Sequence, residues 1–214
     1  MQIYIVRHGE TNANESGRLQ GWSDDPLNEN GRRLAVITGC ALKGIHFDCC
    51  ISSPLSRAKE TAEILLRESG NDLQIYTENR IMEVNMGQWE RKKFRPGERE
   101  MEEHRIREFF TDPFLFGAFP GGETTLQVCE RTQAFLKELL RTDDGRKYLV
   151  VTHGFALRAM LNFLYENPKD FWHGHVPYNC TVNVVNGERG VGILVEDDRI
   201  YYDISEETDR YRVF

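Results

Sequence analysis

Two short apolar runs in this chain each deliver a histidine followed by glycine, and that repetition restricts the fold more than any other feature. Ile3-Tyr4-Ile5-Val6 runs into Arg7-His8-Gly9-Glu10, and Tyr148-Leu149-Val150-Val151-Thr152 runs into His153-Gly154. Short β-branched runs separated by longer helical patterns are how the strands of a buried parallel sheet read. Open α/β sheets bind their ligands at the carboxyl ends of the strands. Both histidines are therefore expected at one sheet edge, around one site.

The rest of the chain follows the same grammar. Thr11 to Asp25, rich in Asn, Gly and Ser, reads as a loop. Asn28 is placed to cap a helix through about Leu42. A second strand, Phe47 to Ile51, ends in Ser52-Ser53-Pro54; serine at the cap and proline at the first helical position predict a helix through about Glu68. A further strand covers Leu73 to Tyr76. A long amphipathic helix follows Gly121-Gly122-Glu123-Thr124 through about Leu140, and another spans Phe155 to Tyr165. Thr181 to Val185, Val191 to Glu196 and Arg199 to Ile204 alternate as closing antiparallel edge strands, with Gly and Asp-Asp turns between them.

The sum is an α/β fold, a three-layer sandwich whose mostly parallel central sheet is flanked by helices, in a single domain over residues 1–214. Residues 91–119 depart from the pattern: a charged stretch precedes Phe109, Phe110, Phe114, Phe116 and Phe119. This reads as a small helical insertion. Its aromatic end is either a lid over the site or a satellite core.

Composition narrows the function. A net charge of −7 and a pI near 5.5 argue against nucleic-acid binding, which asks for a basic face. No apolar stretch approaches the ~20 residues of a membrane span, and the first residues enter a strand without a basic leader, so a cytoplasmic protein is expected. Cys40, Cys49, Cys50, Cys129 and Cys180 are odd in number and form no Cys-x-x-Cys pair, which suits a reducing compartment. His173-Gly-His175 lacks partners at ligand spacing, and neither metal nor cofactor is expected.

What the strand-end residues can do is attack phosphorus. A neutral imidazole is a suitable nucleophile, and a guanidinium matches phosphoryl oxygens with parallel hydrogen bonds. Arg7-His8 supplies both. Arg57, near the start of its helix, can reach back to the strand edge beside a helix amino terminus that itself favours an anion. His153 can act as a further donor, as imidazolium, to charge developing on the phosphoryl oxygens. Glu83, a carboxyl among apolar neighbours that would raise its pKa, can protonate a leaving alcohol.

These residues belong to six collinear blocks that resemble the histidine phosphatase superfamily, in its phosphoglycerate mutase-like branch. The blocks are Arg7-His8-Gly9-Glu10-Thr11 with Asn14, Arg18-Leu19-Gln20-Gly21 with Pro26 to Gly31, Ser52 to Ala58 with Thr61-Ala62, Glu83 with Gly87 and Trp89-Glu90, Pro120 to Thr124, and Val151-Thr152-His153-Gly154 with Arg158. The resemblance implies that His8 is phosphorylated, that Arg7, Arg57, His153 and Gly154 form the phosphate pocket, that Glu83 is the general acid, and that Asn14 and Gln20 contact phosphoryl group and substrate. It implies a small-molecule phosphate ester as substrate and chemistry without a metal. Arg91 stands where relatives carry glycine, and Asn28 where threonine is commoner. Hydrolysis is the expected reaction, with phosphoryl transfer of the mutase kind as the alternative, and an inactive binding or regulatory module as a third reading.

Overall fold

The computed structural model describes residues 1–206. Its framework is a six-stranded sheet in the order β3-β2-β4-β1-β5-β6, built from β1 (Gln2–Arg7), β2 (Cys49–Ser52), β3 (Ile75–Thr77), β4 (Lys147–Thr152), β5 (Val182–Glu188) and β6 (Val191–Arg199). The first four strands in that order run parallel; β5 is antiparallel to both its neighbours, β1 and β6. β1 and β4 are central neighbours in register, with Arg7 opposite Thr152. The two histidine-bearing strand ends therefore lie side by side, and His8 N donates to Thr152 O at 2.9 Å.

Alternation along the strands sorts side chains onto two covered faces. Ile3, Ile5, Tyr148 and Val150 pack against α6 (Thr125–Thr142) and α7 (Gly154–Leu161). Val6, Leu149, Val151 and Cys50 pack on the opposite face, against Ala58, Ala62, Leu65 and Leu66 of α3 (Ser56–Ser69). α2 (Glu29–Ala41) lies beside α3, capped as read: the Asn28 side chain accepts from Gly31 N at 2.7 Å. The expected three-layer sandwich is present. No helix among the described residues is long and apolar enough to cross a membrane.

Three local expectations are corrected. The loop over 11–25 contains a short helix, α1 (Asn12–Glu15), closed by reciprocal bonds between Thr11 and Asn14. The helix after β2 begins at Ser56, not Pro54, because the Ser53 hydroxyl serves His153 Nε2 at 2.7 Å and does not cap the helix. There is also no third closing strand over 199–204. Asp197-Asp198 makes a bulge within β6 rather than a turn, with Asp198 at φ +49° and its N–H on the Asn183 side chain. The chain then leaves the sheet, and the Tyr202 hydroxyl donates to Asn179 O at 2.5 Å.

The insertion folds as α4 (Glu103–Thr111) and α5 (Pro113–Phe116). Phe109 stacks on Phe155 of α7 at 5.4 Å and 13°, and meets Trp172 edge-on at 5.8 Å. Phe116 and Phe119 pack on Trp89. The aromatic end is thus a core of its own, continuous with the sheet edge where the histidines emerge.

Candidate active site

His8 directly follows β1 and is succeeded by Gly9. A side chain at Gly9 would place its Cβ 2.6 Å from the Gly31 carbonyl, so only glycine admits this approach of loop and helix. His8 is buried, and its Nδ1 donates to Gly9 O at 2.6 Å. That bond puts the ring proton on Nδ1 and leaves Nε2 as the nitrogen that carries a lone pair. Arg57 Nε donates to this Nε2 at 3.3 Å. Burial first, then the charges of Arg57 and Arg7, hold the His8 pKa well below the ordinary histidine value, so the ring is neutral and nucleophilic at neutral pH.

Arg57 reaches the sheet edge from the first turn of α3, and its guanidinium is fully buried. Its terminal nitrogens donate to the carbonyls of Ser23 and Gly21, both at 2.8 Å. The fork is therefore engaged with the loop, and Nε is the donor facing His8. Burial lowers its pKa to about 10, which keeps it cationic at neutral pH. Glu90 fixes the other side of that loop, its carboxylate accepting from the amides of Gly21, Trp22 and Ser23. Arg7 is buried beneath the site and donates to the Pro177 carbonyl. A Cβ at Gly154 would come within 3.3 Å of Arg7 Nε, so the glycine after His153 makes room for the guanidinium.

His153 ends β4 with its ring centroid 5.1 Å from that of His8. Its Nε2 pairs with Ser53, and its buried Nδ1 has no hydrogen-bond partner. Burial, then the charges of Arg57 and His8, push its pKa well below the usual value. The lowered pKa favours the neutral ring, and Nδ1 is the ring nitrogen left with hydrogen-bonding capacity.

Glu83 is also buried. One carboxylate oxygen accepts from Val84 N and Ala156 N, both at 2.9 Å, and the other accepts from Phe155 N at 3.1 Å. The carboxyl thus sits on the amino terminus of α7, whose dipole favours its charge. Burial outweighs these bonds and raises its pKa above the ordinary glutamate value. Arg131 secures the segment from below, donating to the carbonyls of Arg80, Met82 and Glu83 while paired with Glu123.

A small cavity opens over these groups. Arg7, His8, Asn14, Gln20, Glu83 and Gly154 line it, with Arg57 and His153 contacting the same His8 from behind. All eight candidate residues converge on one place. Asn14 Oδ1 and Gln20 Oε1 both lie within bonding distance of the Thr11 hydroxyl, at 3.0 and 2.8 Å.

The far wall comes from Phe94, Trp172 and Val176, which the sequence did not single out, together with Arg18 of the second block and Phe109 and Phe110 of the insertion. Phe114 and Phe116 do not line it; Phe114 packs on Phe171 and Phe116 on Trp89. His173 stacks on Tyr165 and His175 pairs with Asp198. Among the described residues no group of three or more His, Cys, Asp or Glu could hold a metal ion.

Comparison with known proteins agrees with this geometry. The family described as histidine phosphatase superfamily (branch 1) matches residues 3–196. "Probable phosphoglycerate mutase GpmB" of Salmonella choleraesuis is 33% identical over 168 residues, 78% of this chain and 76% of the relative. The structure of Bacillus stearothermophilus YhfR superposes with a TM-score of 0.84 at 30% identity, over 93% of this chain and 97% of that one. A phosphoglycerate mutase from Bacillus anthracis superposes at 0.79 with 25% identity, over 96% and 94%.

Proposed function

The chain belongs to the histidine phosphatase superfamily, and from that premise we propose that it is a phosphomonoesterase acting on a small phosphate ester through a phosphohistidine. The observation that carries this is the His8 ring: Nδ1 is locked on a carbonyl, Nε2 is faced by a buried arginine, and a buried carboxyl lines the same cavity. In the first step Nε2 attacks phosphorus opposite the ester oxygen. The N–P bond forms, the P–O bond breaks, and Glu83 gives its proton to the departing alkoxide. In the second, the Glu83 carboxylate takes a proton from water, the oxygen attacks phosphorus, and the N–P pair returns to His8 as phosphate leaves. On this reading Arg7 meets the charge on the phosphoryl oxygens from the cavity lining, Arg57 and His153 support it through their contacts with His8, and Asn14, Gln20 and Gly154 shape the rim.

Hydrolysis is favoured over a mutase by the cations of the cavity. A phosphoglycerate carries a carboxylate beside its phosphate, and a mutase must retain that molecule while it reorients. Beyond Arg7, the one cation on the cavity lining among the described residues is Arg18, which donates to the Arg91 carbonyl and lies 3.9 Å from Glu100. A regulatory module would have no use for so complete a set of catalytic groups. The five free cysteines suit a reducing compartment such as the cytoplasm.

The test is turnover of an aryl phosphate in EDTA. Full activity is expected; activity lost on chelation and restored by a divalent ion would overturn the reading. Arg57→Lys should cost about 10²–10³-fold, the scale for losing one transition-state donor, since an ammonium cannot hold two loop carbonyls and face His8 together. Near-native turnover in that variant would place Arg57 outside the chemistry.

A further inference from the structure

The phosphoryl end of the cavity is polar, but the end that must receive the rest of the substrate is not. Phe94, Phe109, Phe110, Trp172 and Val176 form its wall, and the rings are in mutual contact: Phe94 with Phe110 at 5.4 Å and Phe110 nearly parallel to Trp172 at 6.1 Å. The polar atom of the indole is already engaged, Trp172 Nε1 donating to Phe109 O at 3.1 Å. The wall therefore presents carbon. Arg18, beside it, is held by a backbone carbonyl, and Gln20 is bonded at both ends of its amide, to Thr11 and Asp25.

We infer that the natural substrate is a monophosphate of an apolar alcohol or phenol, without a second anionic group, whose organic part lies on the Phe110–Trp172 wall. This rests on the phosphomonoesterase reading above. Each methylene moved from water onto such a wall should raise kcat/KM about fourfold. A substrate hydroxyl pressed against it loses its water and gains no partner, at a cost of about tenfold. A carboxylate is worse placed still, since an unpaired charge is the costliest group to bury.

Three esters with equal carbon count separate these effects: propyl phosphate, glycerol 1-phosphate and 3-phosphoglycerate. The glycerol alkoxide is the better leaving group, so leaving-group chemistry alone would favour glycerol 1-phosphate. The expected order is the reverse, with propyl phosphate at least tenfold ahead and a rising series from ethyl through hexyl phosphate. Phe110→Ala should flatten that series, and the wild-type series tests the inference whatever the variant does. Glycerol 1-phosphate or 3-phosphoglycerate ahead of propyl phosphate, with phosphohistidine still trapped, would overturn the apolar substrate and leave the phosphatase reading standing. No hydrolysis and no phosphoenzyme with any ester would remove both.

Discussion

Replacing His8 by alanine should lower turnover by roughly 10⁶, the scale of loss when a covalent nucleophile is removed, and should leave a protein that takes no label from a phosphorus-labelled substrate. In the native protein the label should be acid-labile and base-stable, as a phosphoramidate is. Arg57 and Thr61 would keep their places in the variant, because Thr61 bonds to Gly9 N and Arg57 O independently of the imidazole, so circular dichroism should report a folded protein. Label recovered on serine, cysteine or a carboxylate would mean a different nucleophile.

The same ring predicts a pH dependence. A pKa held well below the ordinary value means that His8 stays in its reactive base form where an ordinary histidine would already be protonated. Rapid-quench phosphorylation should therefore show no His8 titration near pH 6.5. A limb at or above that value would mean that the buried cations around the ring do not act on it as described. Glu83 shifts the other way: its raised pKa extends the range in which it holds the proton needed by the leaving group.

Residues that arrive on regular elements were legible in the sequence. His8 and His153 stand at the ends of short apolar strands, and Arg57 follows a strand end closely enough to lie in the next helix whichever residue opens it. That the far wall assembles in one place was not legible, because residues 18, 94, 109–110 and 172–176 come from four separate segments with no shared period. The aromatic cluster was visible, but which ring faces the cavity depends on helix rotation: Phe109 and Phe110 do, Phe116 does not. Ser53 and Asp197-Asp198 misled for one reason. Their side chains or backbone serve tertiary partners, His153 and Asn183, where local rules assign a cap and a turn.

The second large effect falls on Glu83, whose role is the most specific and whose local sequence signal is the weakest. Glu83→Gln removes the proton while keeping the size, and should slow transfer from an alkyl phosphate by about 10²–10⁴, the range for general acid catalysis. The loss must depend on the leaving group. p-Nitrophenolate departs as a stabilised anion and needs little help, so phosphorylation of His8 by p-nitrophenyl phosphate should suffer far less. A structural role predicts otherwise, because the carboxylate holds the α7 amino terminus through Phe155 N and Ala156 N, and loosening that contact would slow both esters by one factor. Single-turnover phosphorylation with both substrates, in native protein and variant, separates the two. Equal losses, or none, would take Glu83 out of proton transfer and leave it as the cap of α7; a loss confined to the alkyl ester fixes it as the acid.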